Sequence, residues 1–176
     1  MVRDKIANVI KGFDNYNQRL EGSGFYLPND TREGDFSRMP GGKAQFSICA
    51  LPQHNLKETE FMLMTIRSHD QFNTTIYGLH DRYRGVFNER RVVFMNPTDM
   101  IKNDLQPLDL IDVESHYDGI TRRAEKFYIV PYKIPQQNLA SYFPEMNVLV
   151  PINHFADKSQ TPISKSIVVT VRKSLL

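Results

Sequence analysis

Between Arg67 and Thr74 the chain reads RSHDQFNT: a guanidinium, hydroxyls, an imidazole, a carboxylate and two amides within eight residues. Arg67 carries a planar fork that suits phosphate or carboxylate. Ser68, Thr74 and Thr75 offer hydroxyls, and Gln71 and Asn73 each combine donors with an acceptor. A flat ring rich in heteroatoms would be read well by that set. The same residues would also serve a turn whose polar side chains satisfy its own backbone. Two further stretches hold comparable chemistry. YGLHDRYRG (77–85) interleaves Arg82 and Arg84 with tyrosines, as a nucleotide site or a solvated loop would. NHFADKSQTPISKS (153–166) presents Asp157, Lys158, Ser159 and Lys165, suited to an anion or an amide-bearing ligand, or to an ordinary exposed loop.

Other chemistries lack their motifs. The histidines (54, 69, 80, 116 and 154) form no HxxxH pair and none lies at metal-ligand spacing from a cysteine. There is no phosphate-binding GxxxxGK[ST], no GxSxG elbow and no GxGxxG. GSG (22–24) and PGG (40–42) read as turns. Cys49 is the single cysteine, which excludes an internal disulfide and a four-cysteine cluster. It suits a reducing compartment.

A polar stretch does chemistry only if rigid elements aim it, and the surrounding pattern is mainly β. AQFSICA (44–50) alternates, with Cys49 expected half-buried in a strand. EFMLMTIR (60–67) is continuously apolar, as for a strand covered on both faces. RRVVFM (90–95), DLIDVES (109–115), KFYIVPY (126–132), NVLVP (147–151) and SIVVTVR (166–172) complete the strand set, with Pro131 and Pro151 closing their runs. NPTDMIKNDL predicts a short helix with Asn96 as N-cap, Pro97 at its first position and Asp99 near the positive dipole end. PQQNLASYFPE predicts a second, stopped by Pro144. Many strands, little helix and a short strand–helix–strand crossover favour an interlocked barrel with a binding rim.

The chain has 176 residues, 40% of them hydrophobic, enough for one compact domain with an appendage. With 22 basic and 20 acidic residues no strong field favours nucleic acid. No run approaches the length of a membrane helix. MVRDKIANVIKGF reads as an amphipathic helix with Val2, Ile6, Val9 and Ile10 on one face, not as a secretory signal. Residues 17–43, rich in Gly, Pro, Asn and Asp, have loop composition, too long for the inside of a compact domain. Residues 1–43 are therefore expected to form a helix and linker packing on other domains, and 44–176 the barrel.

Taken together, TIRSHDQFNTTIYG, DRYRG, RRVVFMNPTDM and PLDLIDVES resemble the C-terminal domain of the molybdopterin oxidoreductases, nearest the formate dehydrogenase-like alpha subunits. PEMNVLVPINHFADKSQTPISKSIVV is similar to that family's closing segment, and GSGFYLP…GGKAQF fits the approach to the domain. The resemblance covers roughly residues 44–172. It implies a double-psi β-barrel with a few short helices and an irregular N-terminal extension, covering one side of a bis-molybdopterin guanine dinucleotide (bis-MGD) that holds molybdenum. Carried over by position, Thr65, Arg67 and Ser68 match a strand-exit T-x-R. Gln71, Phe72, Asn73 and Thr74 fall where relatives carry His-Trp-His-Thr, so the amides keep contact capacity without a group that titrates near neutrality. Asn147 matches an N-x-L, and Ser159, Pro162 and Lys165 match the closing loop. The resemblance further implies upstream domains of the same chain as partners, no catalytic residue or metal ligand in this segment, no activity of the segment alone, a cytoplasmic setting, and neither nucleic-acid nor membrane binding. The alternatives are a double-psi barrel used for protein interaction or substrate delivery, and a small standalone hydrolase or nucleic-acid binder.

Overall fold

The computed structural model describes residues 2–73 and 78–175, in two compact units that meet in sequence after Pro52. The first contains three short helices, α1 (Val2–Val9), α2 (Tyr16–Arg19) and α3 (Asp30–Glu33), and a 3-10 turn at Pro40–Gly42. Asn29 caps α3 by accepting from the Arg32 N–H at 2.8 Å, and Gly34 ends it at φ 73°, a conformation that suits glycine. An edge-on cluster of Phe13, Tyr16 and Phe25, with the Arg19 guanidinium 3.6 Å from the Phe25 ring centre, gives this unit its contacts. The expected helix at the start is present, but Val2 and Val9 stay exposed, so its apolar face is not covered.

The expected strand at 44–50 is absent. Residues 43–57 form no regular element, Phe46 and Ile48 are fully exposed, and Cys49 is exposed. Alternation makes a strand only when an edge accepts it, and the sheet of the second unit has no edge. Its six strands, β1 (Glu60–Ile66), β2 (Val92–Met95), β3 (Leu110–Tyr117), β4 (Ile120–Pro131), β5 (Asn138–Tyr142) and β6 (Ile167–Lys173), close in the order β1-β5-β2-β4-β3-β6. β1 runs parallel to β5 and β2 parallel to β4, while the other four pairings are antiparallel. These interleaved parallel pairs make it a double-psi β-barrel, mainly β with few short helices, as expected. The helix α4 (Pro97–Lys102) follows β2, with the Asn96 side chain accepting from the Thr98 N–H at 2.8 Å. The crossover lands on β3, two places from β2, with β4 between.

Two sequence expectations fail by exchange. PQQNLASYFPE contains β5, because parallel pairing with β1 and antiparallel pairing with β2 override a local helical preference. NVLVP contains a 3-10 turn, Asn147–Leu149, whose Leu149 is fully buried beside Met146 and plugs the core instead of joining the ladder. In β1 the inward residues Phe61, Leu63 and Thr65 are buried while Met64 is exposed, so one face is covered rather than two. The strand buried on both faces is β2. Val93 and Met95 join the interior, whereas Val92 and Phe94 pack outward against Val86 and Tyr142. The loop that supplies Val86 thus acts as a second layer over β2.

Register gathers the chain ends of interest. Ile66 lies beside Tyr142, Leu63 beside Ile167, Ser115 beside Val169, and Val93 beside Ser141. The ends of β1, β3 and β5 and the starts of β2, β4 and β6 therefore share one barrel mouth.

Candidate functional site

A cleft of about 560 Å³ opens at that mouth, lined chiefly by Thr65, Arg67, Phe143, Asn147, Thr161 and Lys165. Its floor is stitched from both directions. The Thr65 N–H and hydroxyl both donate to the Ser164 carbonyl at 2.9 Å, and the Lys165 ammonium donates to the Thr65 carbonyl. Burial pushes the Lys165 pKa down, and the neighbouring Arg67 cation adds to the effect. Arg67 lies with its guanidinium carbon 5.7 Å from the Phe143 ring centre, and that guanidinium makes no hydrogen bond among the described residues. The exposed side-chain amide of Asn147 is likewise free of hydrogen bonds among the described residues. Among the described residues the lining contains no carboxylate. Two cations without a counter-charge, an unengaged amide and an apolar wall of Phe143, Val150, Pro151 and Ile152 make a cleft suited to a flat, anionic ligand.

Behind the Arg67–Phe143 wall lies a polar network. Arg90, only 4% exposed, grips the Glu145 carboxylate through Nε at 2.6 Å and Nη2 at 3.2 Å. Its Nη1 donates to Ser68 Oγ at 2.9 Å, and Nη2 donates to Gln71 Oε1 and the Phe143 carbonyl, each at 3.0 Å. Gln71 Nε2 donates to the same carbonyl at 3.1 Å. Ser68 and Gln71 are buried, with Ser68 Oγ and both polar atoms of the Gln71 amide engaged within this network.

A second carboxylate braces the other side of the loop. Asp81, buried, accepts from Arg84 Nη1 at 2.5 Å, the Tyr142 hydroxyl at 2.9 Å and the His69 N–H at 3.3 Å. Burial alone would raise its pKa, but the Arg84 and Tyr142 hydrogen bonds outweigh that and hold it below the usual range. Tyr142, buried and donating to this carboxylate, is pushed far up. Arg84 also donates to the Arg67 carbonyl at 3.2 Å.

Of the residues singled out from the sequence, Thr65, Arg67, Asn147 and Lys165 meet in the cleft. Ser159 sits exposed on the neighbouring loop, its hydroxyl 2.8 Å from that of Thr161, which lines the cleft. Phe72 is 74% exposed and Asn73 is exposed beside it, and neither lines the cleft. Thr74, with Thr75, lies outside the described residues. Sequence reasoning missed Arg90, Glu145 and Asp81. Arg90 reads as the polar flank of an apolar run, and no local signal announces that it turns inward. Arg84 was singled out as a loop cation, but its carboxylate partner was not. Among the described residues no His, Cys, Asp and Glu side chains cluster as metal ligands do. No helix among them is long and apolar enough to cross a membrane.

The barrel mouth thus carries a cleft whose described lining residues pair two cations and a free amide with an apolar wall. The family model described as "Molydopterin dinucleotide binding domain" matches residues 61–169, which includes every strand from β1 to the start of β6 and all the cleft residues named above. The chain belongs to this family. It is 45% identical over 174 residues to the "Uncharacterized oxidoreductase Rv2900c" of Mycobacterium tuberculosis, covering 96% of this chain and 22% of that protein. It is 35% identical over 182 residues to the "Protein YdeP" of Escherichia coli, covering 98% of this chain and 24% of that protein. The chain thus spans about a quarter or less of the length of these relatives.

Proposed function

We propose that this chain is the cofactor-covering domain of a longer, molybdenum-dependent oxidoreductase of the formate dehydrogenase-like type, and that its cleft holds part of a bis-MGD cofactor. The observation that carries the reading is the cleft itself: Arg67, Lys165 and Asn147 converge with no carboxylate among the described lining residues, inside the span that the family model matches. The donor set fits the group. Arg67 and Lys165 suit pyrophosphate oxygens, the Asn147 amide can mirror the donor–acceptor edge of a pterin or guanine, and Phe143 offers an aromatic face. The bound cofactor supplies the redox chemistry, and this domain orients it and keeps water from one side. In this reading the domain contributes no metal ligand and no catalytic residue. It works only with upstream domains of the same polypeptide, against which residues 1–43 pack, in the cytoplasm. Exposed Phe72, Val148 and Phe155 suit a surface that another domain covers.

The test uses the complete polypeptide. Arg67→Ala combined with Asn147→Ala is expected to cut molybdenum and hydrolytically released guanine nucleotide per protein by roughly tenfold or more, since a charge-assisted contact and a bidentate amide contact are both lost. Undiminished loading of both would overturn the reading.

A further inference from the structure

Among the described residues no hydrogen bond or ion pair aims the tip of Arg67. Its guanidinium lies near the Phe143 ring with no such bond to fix it, so its direction comes from the segment that carries it. That segment is held at three successive residues: the Arg67 carbonyl by Arg84, the Ser68 side-chain hydroxyl by Arg90, and the His69 N–H by Asp81. Arg90 also holds the opposite wall, through the Phe143 carbonyl and the Glu145 carboxylate. One guanidinium therefore ties the end of β1 to the end of β5 from behind the cleft. Asp81 repeats the link, joining His69 to the Tyr142 hydroxyl.

We propose that Arg90, with Glu145, and Asp81, with Arg84, are positioning residues that fix Arg67 against the Phe143 wall and so set how long the cleft retains an anionic dinucleotide. The inference rests on the function proposed above. Fixing a long side chain before binding removes an ordering cost that otherwise opposes it, worth roughly three- to tenfold in affinity. Lysine cannot replace Arg90, because one ammonium cannot span acceptors that the planar fork reaches on two separate segments.

A double-mutant cycle in the complete polypeptide tests this, using Arg90→Lys, Arg67→Ala and both together. The readout is the half-time of molybdenum and guanine-nucleotide loss during dialysis, at a temperature well below unfolding of every variant. Arg90→Lys is expected to release cofactor roughly three- to tenfold faster in the parent background and no faster once Arg67 is alanine. Should Arg90→Lys fail to fold, Glu145→Gln takes its place with the same expectation. Equal acceleration in both backgrounds, which a merely structural role would give, overturns the inference and leaves the cleft reading standing. So does no acceleration in either while Arg67→Ala alone speeds release. If Arg67→Ala alone leaves retention unchanged, the cleft reading falls and the inference with it.

Discussion

Replacing Arg90 by methionine keeps a flexible apolar stem of similar length and removes the charge and every donor. The Glu145 carboxylate, 15% exposed, loses contacts at 2.6 and 3.2 Å, and Ser68 Oγ loses one at 2.9 Å. The Phe143 carbonyl keeps its bond from Gln71 Nε2, and Gln71 Oε1 keeps the Ser68 N–H at 3.3 Å, so neither is stranded. The cost is therefore dominated by one carboxylate left unpaired. Breaking a buried pair from one side costs about 3–5 kcal/mol, and the partial exposure of Glu145 puts this case near the lower end, about 3 kcal/mol. At a urea slope of about 2 kcal/mol per M, the unfolding midpoint of the barrel should fall by roughly 1.5 M with the slope unchanged. Far-ultraviolet circular dichroism follows the transition. Arg123→Met, which removes a half-exposed partner of Glu114, should cost less than about 1 kcal/mol in the same assay. Arg90→Met combined with Glu145→Leu should recover part of the loss, because no charge then remains unpaired. If Arg90→Met costs no more than Arg123→Met, the network is not a buried pair in energetic terms and the reasoning fails.

The remaining expectations concern acid and thiols. Burial would raise the carboxyls of Asp81 and Asp112, but hydrogen bonds from Arg84 and Tyr142, and from Ser174 and the Lys126 N–H, outweigh it and leave both depressed. The unfolded chain then binds protons first as pH falls, so this stability is full above about pH 5 and drains as pH drops through about 4 towards the folded pKa values. Urea midpoints at pH 6 and pH 3 should differ less in Asp81→Asn and Asp112→Asn than in the parent, and parallel shifts would refute the assignment. Cys49, exposed on an irregular segment, should react with a thiol reagent within about a factor of three of its unfolded rate in this chain. Protection beyond about tenfold would mean that 44–50 is covered after all.

How far the sequence reaches is clearest in pairs of segments. Asn96-Pro97 announced the start of α4, because a cap and a fixed φ are local properties. The runs that became β2, β3, β4 and β6 were legible from apolar content and β-branching, and Pro131 ended its strand as proline must. NLASY and NVLVP were misread in opposite directions, since neighbours in space, not in sequence, made one a strand and the other a plug. AQFSICA alternates without being a strand, because the closed ladder offers no edge.

The same division holds at the mouth. Residue types alone determined that Arg67, Asn147 and Lys165 are polar groups flanking apolar runs, and the quoted motifs pointed to the family to which the chain belongs. Only the closed register decided that Arg67 and Lys165, far apart in the chain, line one cleft, and that Ser68 and Gln71 turn inward to meet Arg90. The physical reason is that side-chain chemistry is carried by each residue, whereas burial, and with it the partner each polar group must find, exists only once the barrel has closed.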